Sequence, residues 1–458
     1  MKKAVFYLSW MFITLFAMNS CTQEDNPSSP VKVNLTGQWI GETVSADGNQ
    51  LILIYQFYED ATGWKETYEI KDGEVISQPI SRYDSEFQFN YAIEDNNKVV
   101  IDYVDSELGD EVLITGSVLK AQEGGKDVTL TFATKEQMEK YQQESDDWHG
   151  GADESENPID LTTIEADYTA ENHSVLTGKL AESLAIWIEA GDTVTLKDVT
   201  IDAGQGKPGI RCLGNATIFV EGTNTVKGAP GITVDLDEGT MRNRLIIRGK
   251  GTLNAIGYDN FAGIGSGYGT SCGKLFLGAV IHATGGKYAA GIGAGFGDPD
   301  HPSRCNDIYV VDGEVTAIGG ENAAGIGTGY GLIGEPAKTT PKGTSSCSGV
   351  MLRGGVVKAT GGANCPGIGI GISDKEADDL LRQGPRCGTV HITAAVKQLT
   401  STKGANSPYS IGLSSRFTKG AINDIVFGRT MWYNGAKFMS EEYEKQLKES
   451  TFVYPPKK

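Results

Sequence analysis

Apolar and polar residues alternate along short segments through much of this chain, and glycine interrupts these segments. Residues 274–286, 307–320 and 349–362 carry many β-branched side chains and end in Gly-Gly. Alternation with a period of two predicts half-buried strands, and the glycines predict tight corners between them. No part of this region has the period of an amphipathic helix, so the pattern predicts an all-β fold.

One glycine-rich phrase recurs four times among these strands. It reads AGIGSGYG from Ala262, AGIGAGFG from Ala290, AGIGTGYG from Ala324 and PGIGIGIS from Pro366, at spacings of 28, 34 and 42 residues. Such a repeat predicts a solenoid whose turns stack on their neighbours. Turns of about 28 residues with short strands predict a right-handed parallel β-helix, an architecture that resembles pectate lyases.

The glycine phrase also resembles part of a dinucleotide-binding fingerprint, in which a helix follows the glycines. No helical pattern follows any copy. We therefore predict that Gly263, Gly265, Gly267 and their counterparts lie at corners that require positive φ or close stacking of turns.

Earlier segments repeat the same pattern of strands and glycine corners, for example TVTLKDVTID from Thr193 and RLIIRGKGTLNAIG from Arg244. Over roughly residues 165–428 the chain resembles bacterial cell-surface β-helices, some of them described as carbohydrate-binding domains. The resemblance implies this fold for residues 161–458 and a polysaccharide or a host or cell-surface glycan as the partner. Its motifs are specific for the fold and not for the ligand.

Residues 34–140 are predicted to form a separate, small antiparallel barrel of seven or eight strands joined by hairpin turns. The triplet Gly37-Gln38-Trp39 resembles the GxW signature of lipocalin-like domains, in which the tryptophan closes one end of the barrel. Two interpretations stay open for the interior. It binds a small apolar ligand, or it is filled and the barrel is a spacer.

The first twenty residues have a basic start and a short apolar stretch before Cys21, and they resemble a bacterial lipoprotein signal. The resemblance implies that Cys21 is acylated and anchors the protein in the outer membrane. Residues 21–33 are predicted to be a tether, and its QED sequence resembles a surface-export signal, which implies that the protein faces the cell exterior. An ordinary secretory peptide followed by a polar tether would look much the same.

The net charge of −19 is distributed unevenly. Residues 21–160 carry 30 acidic and 9 basic side chains, whereas residues 161–458 carry 29 of each. The acidic, Gly- and Pro-containing segment 141–160 is predicted to be a linker. A solenoid without excess positive charge is not expected to bind nucleic acid.

Four cysteines occupy one position of the repeat: Cys272, Cys305, Cys347 and Cys387. Cys212 is predicted to occupy a similar place earlier in the chain. Equivalent positions of a parallel β-helix stack about 4.8 Å apart, so the pattern predicts a column of buried thiols. Disulfides and a zinc site are the alternatives, and the disulfide state of these residues and of Cys365 stays open.

Three aromatic residues, Tyr268, Phe296 and Tyr330, share one slot of the glycine phrase. If the slot points outward, the rings form a strip suited to the apolar faces of sugars. If it points inward, they are a core stack. Both interpretations stay open.

Two loops carry clustered charges. The candidates are Asp298, Asp300, His301 and Arg304 in one loop, and Asp374, Glu376, Asp378, Asp379 and Arg382 in the next long one. β-Helix polysaccharide lyases have clustered aspartates that hold Ca²⁺ and a basic residue that takes a proton, but neither loop reproduces such a motif. We assign no catalytic residue and no cofactor, with Ca²⁺ left open, and solvated loop charge is the alternative.

These patterns together predict a lipid-anchored surface protein that binds carbohydrate or mediates adhesion without catalysis. The alternatives are a β-helix lyase or hydrolase acting on an acidic glycan, and a structural protein of the cell envelope. A short helix from Ser440, with acids first and bases last, is predicted to cap the solenoid.

Overall fold

The structure is a computed structural model. It describes residues 35–57, 62–71, 74–75, 88–94, 98–103, 109–115, 117–123, 125–134, 136–137, 158–236, 243–333, 344–374, 384–393, 396–416, 422–427, 430–433 and 441–454. The predicted signal with Cys21, the tether and the linker up to residue 157 lie outside the described residues. Within the described ranges, no helix has the length and apolar character needed to cross a membrane.

The chain is built almost entirely from strands. The first nine are β1 (Gly37–Val44), β2 (Gln50–Phe57), β3 (Thr62–Lys71), β4 (Glu74–Val75), β5 (Gln88–Glu94), β6 (Lys98–Tyr103), β7 (Gly109–Thr115), β8 (Val118–Glu123) and β9 (Lys126–Phe132). The others are β10 (Ile159–Asp160), β11 (Tyr168–Ala170), β12 (Ser174–Lys179), β13 (Ile186–Ile188), β14 (Thr193–Asp202), β15 (Ile210–Cys212), β16 (Ala216–Glu221), β17 (Thr223–Gly228), β18 (Ile232–Val234), β19 (Arg244–Gly257), β20 (Ile264–Gly265), β21 (Ser271–Cys272), β22 (Lys274–Thr284), β23 (Ile292–Gly293), β24 (Ser303–Val310), β25 (Glu314–Ile318), β26 (Ile326–Gly327), β27 (Ser345–Leu352), β28 (Val356–Thr360), β29 (Ile368–Gly369), β30 (Arg386–Ile392), β31 (Gln398–Thr402), β32 (Ile411–Gly412), β33 (Ile425–Phe427), β34 (Thr430–Tyr433) and β35 (Thr451–Tyr454), with helix α1 (Glu441–Lys448) before β35.

Strands β1 to β9 form one antiparallel sheet in which the strand pairings make a closed ring. The order runs β2-β1-β9-β8-β7-β6-β5-β3, and β3 also pairs with β2, while β4 extends β3 as a short hairpin. The fold-class prediction of a small antiparallel barrel is therefore confirmed. Trp39 lies where β1 meets β9; its indole N–H donates to the Leu35 carbonyl at 2.9 Å, and its ring meets Phe132 edge-on at 5.3 Å.

Aromatic side chains pack together within this barrel unit. Tyr55, Phe57, Phe89 and Tyr91 are all buried, and their ring centroids lie 5.0 to 6.5 Å apart. Aromatic pairs at these distances stabilise a fold beyond the area they bury. Whether the barrel also holds a ligand stays a prediction.

The second part of the chain is a parallel β-helix. Each turn passes through a long sheet and then a short one, and all nine strands of the short sheet pair in parallel in chain order. Strand β10 begins within the segment assigned to the linker and pairs with β12. The short sheet stacks one fully buried isoleucine per turn: Ile186, Ile210, Ile232, Ile264, Ile292, Ile326, Ile368 and Ile411.

A column of glycines lies beside these isoleucines, and it confirms the prediction made from the glycine phrase. Its members have φ between +124° and +139°: Gly265, Gly293, Gly327, Gly369 and Gly412. A Cβ at Gly327 would lie 2.0 Å from the carbonyl oxygen of Gly369 on the next turn. These glycines therefore serve the close stacking of turns.

The cysteine column is confirmed for four residues. Cys272, Cys305, Cys347 and Cys387 are paired in register across β21, β24, β27 and β30, and none forms a disulfide. The place assigned to Cys212 is wrong, because it lies on β15 of the short sheet, opposite Val234. The column fills core space with small thiols, in keeping with the apolar character of buried cysteine.

The C-terminal end of the solenoid is capped. Strand β35 pairs antiparallel with β31, and Leu447 of helix α1 is fully buried against the core. Lys448 in the last helical turn pairs with Glu444 at 2.6 Å. The cap covers a strand edge that would otherwise be open to pairing with other chains.

Candidate binding face on the solenoid

Three aromatic residues predicted to share one slot do so in the structure, because backbone hydrogen bonds between turns fix them there. The amide of Phe296 donates to the Asn260 carbonyl at 3.0 Å, and the amide of Tyr330 donates to the Tyr288 carbonyl at 2.8 Å. In both cases a backbone carbonyl of one turn accepts a hydrogen bond from the slot residue of the next turn. The rings of Tyr268, Phe296 and Tyr330 consequently follow one another along the solenoid.

These rings are half-buried and stand outside the hydrophobic core cluster. The centroids of Tyr268 and Phe296 are 5.3 Å apart with planes at 17°, and those of Phe296 and Tyr330 are 5.8 Å apart at 13°. The faces of these rings therefore point along the stack toward one another.

A fourth ring, which the sequence analysis did not single out, joins this stack at an angle. Tyr288 lies 6.2 Å from Phe296 and 5.5 Å from Tyr330, with its plane tilted by 50° and 41°. The plane of the Tyr288 ring is therefore not parallel to the rings of the stack. The Lys287 ammonium lies 5.1 Å from the Tyr288 ring centroid. The Lys287 ammonium also lies 3.8 Å from the Glu321 carboxylate, and an exposed cation–π contact of this kind contributes little energy.

On the turns that follow, asparagines occupy the position equivalent to Tyr288. Asn364 donates to Asn322 at 3.3 Å, and Asn406 donates to Asn364 at 3.2 Å, so the three amides form a ladder. An amide has two donors and two acceptor sites, and one bond in each direction leaves others for a ligand. The sequence signal for this ladder is an asparagine three residues before Gly-Ile-Gly at Asn322 and Asn364, and five residues before Ile411 at Asn406.

The parallel turns that carry these rings and amides have a counterpart among known families. Three segments match a family model described as a beta helix repeat: residues 245–268, 308–330 and 350–369. Comparison with curated proteins and with solved structures finds no match. Two of the three matched segments end on a slot residue, the first on Tyr268 and the second on Tyr330.

The loop that carries Asp298 lies between matched beta helix repeats, and its carboxylate is engaged within the protein. Asp298 Oδ2 accepts from the Tyr268 hydroxyl at 2.7 Å, and Oδ1 accepts from the amides of Asp300 and His301 at 2.9 and 2.7 Å. The Tyr268 hydroxyl also lies 2.9 Å from His301 Nδ1. The structure thus brings Asp298 and His301 to the end of the aromatic stack, whereas none of these bonds involves the Asp300 carboxylate.

These contacts shift the ionisation of both partners. Partial burial pushes the pKa of Asp298 upward, but the hydrogen bonds from Tyr268 and the two amides outweigh it and hold this pKa below its usual value of 3.8. The hydrogen bond to Asp298 raises the pKa of Tyr268. Tyr268 is therefore a neutral hydroxyl donor over the ordinary pH range.

We expect the loop to loosen in acid. Because the pKa of Asp298 is lower in the folded than in the unfolded state, its ionised form stabilises the fold above the unfolded value, and this contribution disappears as pH falls through the folded value. Hydrogen exchange of the Asp300 and His301 amides, corrected for intrinsic rates, should show protection that is lost as pH falls through the lowered pKa of Asp298. Asp298→Asn should lower protection at neutral pH as well, whereas the control Asp300→Asn should leave it unchanged; equal protection in all three proteins would contradict this prediction.

The second predicted loop is only partly described. Asp374 Oδ1 accepts from the Ile333 amide at 2.7 Å, and the Arg416 guanidinium contacts the carbonyl oxygens of Ser373 and Asp374. Asp378 and Asp379, with Glu376 and Arg382, lie outside the described residues. Among the residues that are described, no group of three or more His, Cys, Asp or Glu side chains is placed to hold a metal ion, and Ca²⁺ stays a prediction.

A separate aromatic site lies on earlier turns of the short sheet. The Arg211 guanidinium lies 5.2 Å from the centroid of Trp187, and its Nε and Nη2 donate to the two carboxylate oxygens of Asp235 at 2.8 and 2.9 Å. The bidentate pair holds the guanidinium over the indole. Trp187 is thus a half-buried aromatic residue away from the aromatic stack and provides a matched control for it.

Proposed function

We propose that the β-helix binds a linear glycan without cleaving it, with the ligand lying along the solenoid across one face. This candidate binding face consists of Tyr268, Tyr288, Phe296, Tyr330, Asn322, Asn364 and Asn406. The observation that carries the proposal is the alignment of half-buried rings and linked amides on consecutive turns. Groups repeated about every 4.8 Å suit a ligand that is itself a repeating chain.

The two parts of the face have complementary roles in this proposal. Tyr288 and the rim of the aromatic stack bury apolar C–H surface of the sugar, and tyrosine hydroxyls add polar contacts at the edge. The asparagine ladder supplies oriented donors and acceptors for hydroxyl groups. As predicted from the sequence, we further propose that acylation of Cys21 anchors the protein at the outer membrane and that the barrel unit separates the β-helix from the bilayer.

The proposal predicts a loss of binding when either part of the face is removed. A glycan array probed with the full chain carrying Cys21→Ser, with and without Ca²⁺, identifies the ligand, and calorimetry then measures its affinity. We expect Tyr288→Ala and Asn364→Ala each to weaken binding by about tenfold, equivalent to about 1.4 kcal/mol. The control Trp187→Ala should bind as tightly as the parent chain.

Two results would contradict this proposal. Unchanged affinity in both face variants would move the site elsewhere, and silence on a broad array would favour adhesion to protein or a structural role. Product analysis of every hit decides between binding and cleavage.

A second candidate function rests on the Tyr268, Asp298 and His301 cluster. A neutral tyrosine hydroxyl next to an imidazole is a general acid beside a potential base, as elimination from an acidic glycan requires. Unsaturated products that vanish in Tyr268→Phe would establish this lyase activity in place of pure binding.

A further inference from the structure

The cysteine column places thiols of neighbouring turns side by side in the core. Cys272 is paired in register with Cys305, Cys305 with Cys347, and Cys347 with Cys387. The Cys347 thiol also donates to the Gly349 carbonyl at 3.3 Å. All four belong to the apolar core cluster and are at most 3% exposed.

This arrangement suits one coordination geometry. Two metal–sulfur bonds of about 2.3 Å in line span about 4.6 Å, close to the spacing of about 4.8 Å between neighbouring strands. Zinc requires four ligands in a tetrahedron, whereas a single file of thiols offers two at each step. Thiolates select soft ions, so a linear, two-coordinate soft cation fits where zinc does not.

We propose that the cysteine column binds soft two-coordinate metal cations of the Cu⁺ and Hg²⁺ class, one between Cys272 and Cys305 and one between Cys347 and Cys387. Each binding event forms two metal–sulfur bonds and releases the two thiol protons. With a divalent ion the product is neutral, which avoids placing net charge in an apolar core.

The contact with Cys387 and burial raise the pKa of Cys347, and the contact with Cys272 and burial raise the pKa of Cys305, well above the usual 9.0. These two thiols are therefore protonated at neutral pH, and metal binding at them is coupled to proton release. This coupling gives a readout that is independent of any glycan or enzymatic assay.

Hg²⁺ is the probe for the test. The full chain with Cys21→Ser is loaded with Hg²⁺, dialysed against excess glutathione and weighed by native mass spectrometry. Glutathione removes an ion held by one thiol, whereas a preorganised pair retains it because its second bond is intramolecular. We expect two retained ions and the release of two protons per ion in weakly buffered solution.

Variants assign the ions. Cys272→Ser and Cys387→Ser should each retain one ion, and the control Cys365→Ser, which alters a buried cysteine outside the column, should retain two. X-ray absorption of the loaded parent chain requires no variant and should show two sulfur neighbours at about 2.3 Å. Retention of no ion, one sulfur neighbour, or three or more would overturn the proposal, as would two ions retained in Cys272→Ser.

Discussion

Replacing Gly327 with alanine should lower the free energy of unfolding of the β-helix by about 2 to 4 kcal/mol. The backbone there has φ of +130°, which strains any L residue with a side chain. The new Cβ would also meet the Gly369 carbonyl oxygen at 2.0 Å, and that oxygen belongs to backbone that cannot turn aside like a flexible side chain. Both the strain and the clash act within the stacked turns.

Urea denaturation of the full chain, followed by circular dichroism, measures this effect. The control is Gly206→Ala, since Gly206 is exposed and a Cβ there would meet no heavy atom within 4 Å. We expect the control to change stability by less than about 0.5 kcal/mol. Equal midpoints for Gly327→Ala and the parent would show that the turns separate easily and would contradict the close stacking described above.

Replacing Ile326 with alanine should cost about 2 to 5 kcal/mol. Its side chain is fully buried between Ile292 and Ile368 in the isoleucine column of the short sheet. Truncation removes apolar contacts and leaves a cavity that stacked turns on either side cannot readily fill. The loss is expected to spread to neighbouring turns, because a solenoid is stabilised by the interfaces between repeats.

Ile318 provides the matched control for this substitution, because it is an isoleucine of the same solenoid that is 44% exposed. The same urea titration should give a cost below about 1 kcal/mol for Ile318→Ala. Hydrogen exchange should additionally show faster exchange across β23, β26 and β29 in Ile326→Ala. A similar cost for the two substitutions would mean that the short sheet does not form the core.

The sequence predicts the place of some residues correctly and misplaces or misses others. Gly327 and Cys347 lie where the sequence predicts them, because each answers a requirement that recurs in successive turns: positive φ, or a small buried side chain. The prediction for Cys212 was wrong because its place next to a predicted strand resembles that of the column cysteines, whereas its own strand belongs to the short sheet. Tyr288 was missed as part of a site because a single tyrosine in a column of asparagines leaves no periodic signal.

The sequence does not determine the direction in which the slot aromatics point. The sequence placed Tyr268, Phe296 and Tyr330 on successive turns but left their direction open. The structure places them outside the hydrophobic core cluster and stacks their faces on one another. Likewise, the bond between Tyr268 and Asp298 joins residues separated by 30 positions and a loop whose length varies from turn to turn.

The sequence by itself determined the parallel β-helix, its glycine corners, its thiol column and its antiparallel N-terminal sheet, because periodic side-chain chemistry encodes requirements that are local to each turn. Only the tertiary structure decided the direction of the slot aromatics, the asparagine ladder and the engagement of Asp298 by Tyr268. These features depend on side-chain contacts between turns, and the recurrence of a residue type along the chain does not specify such contacts.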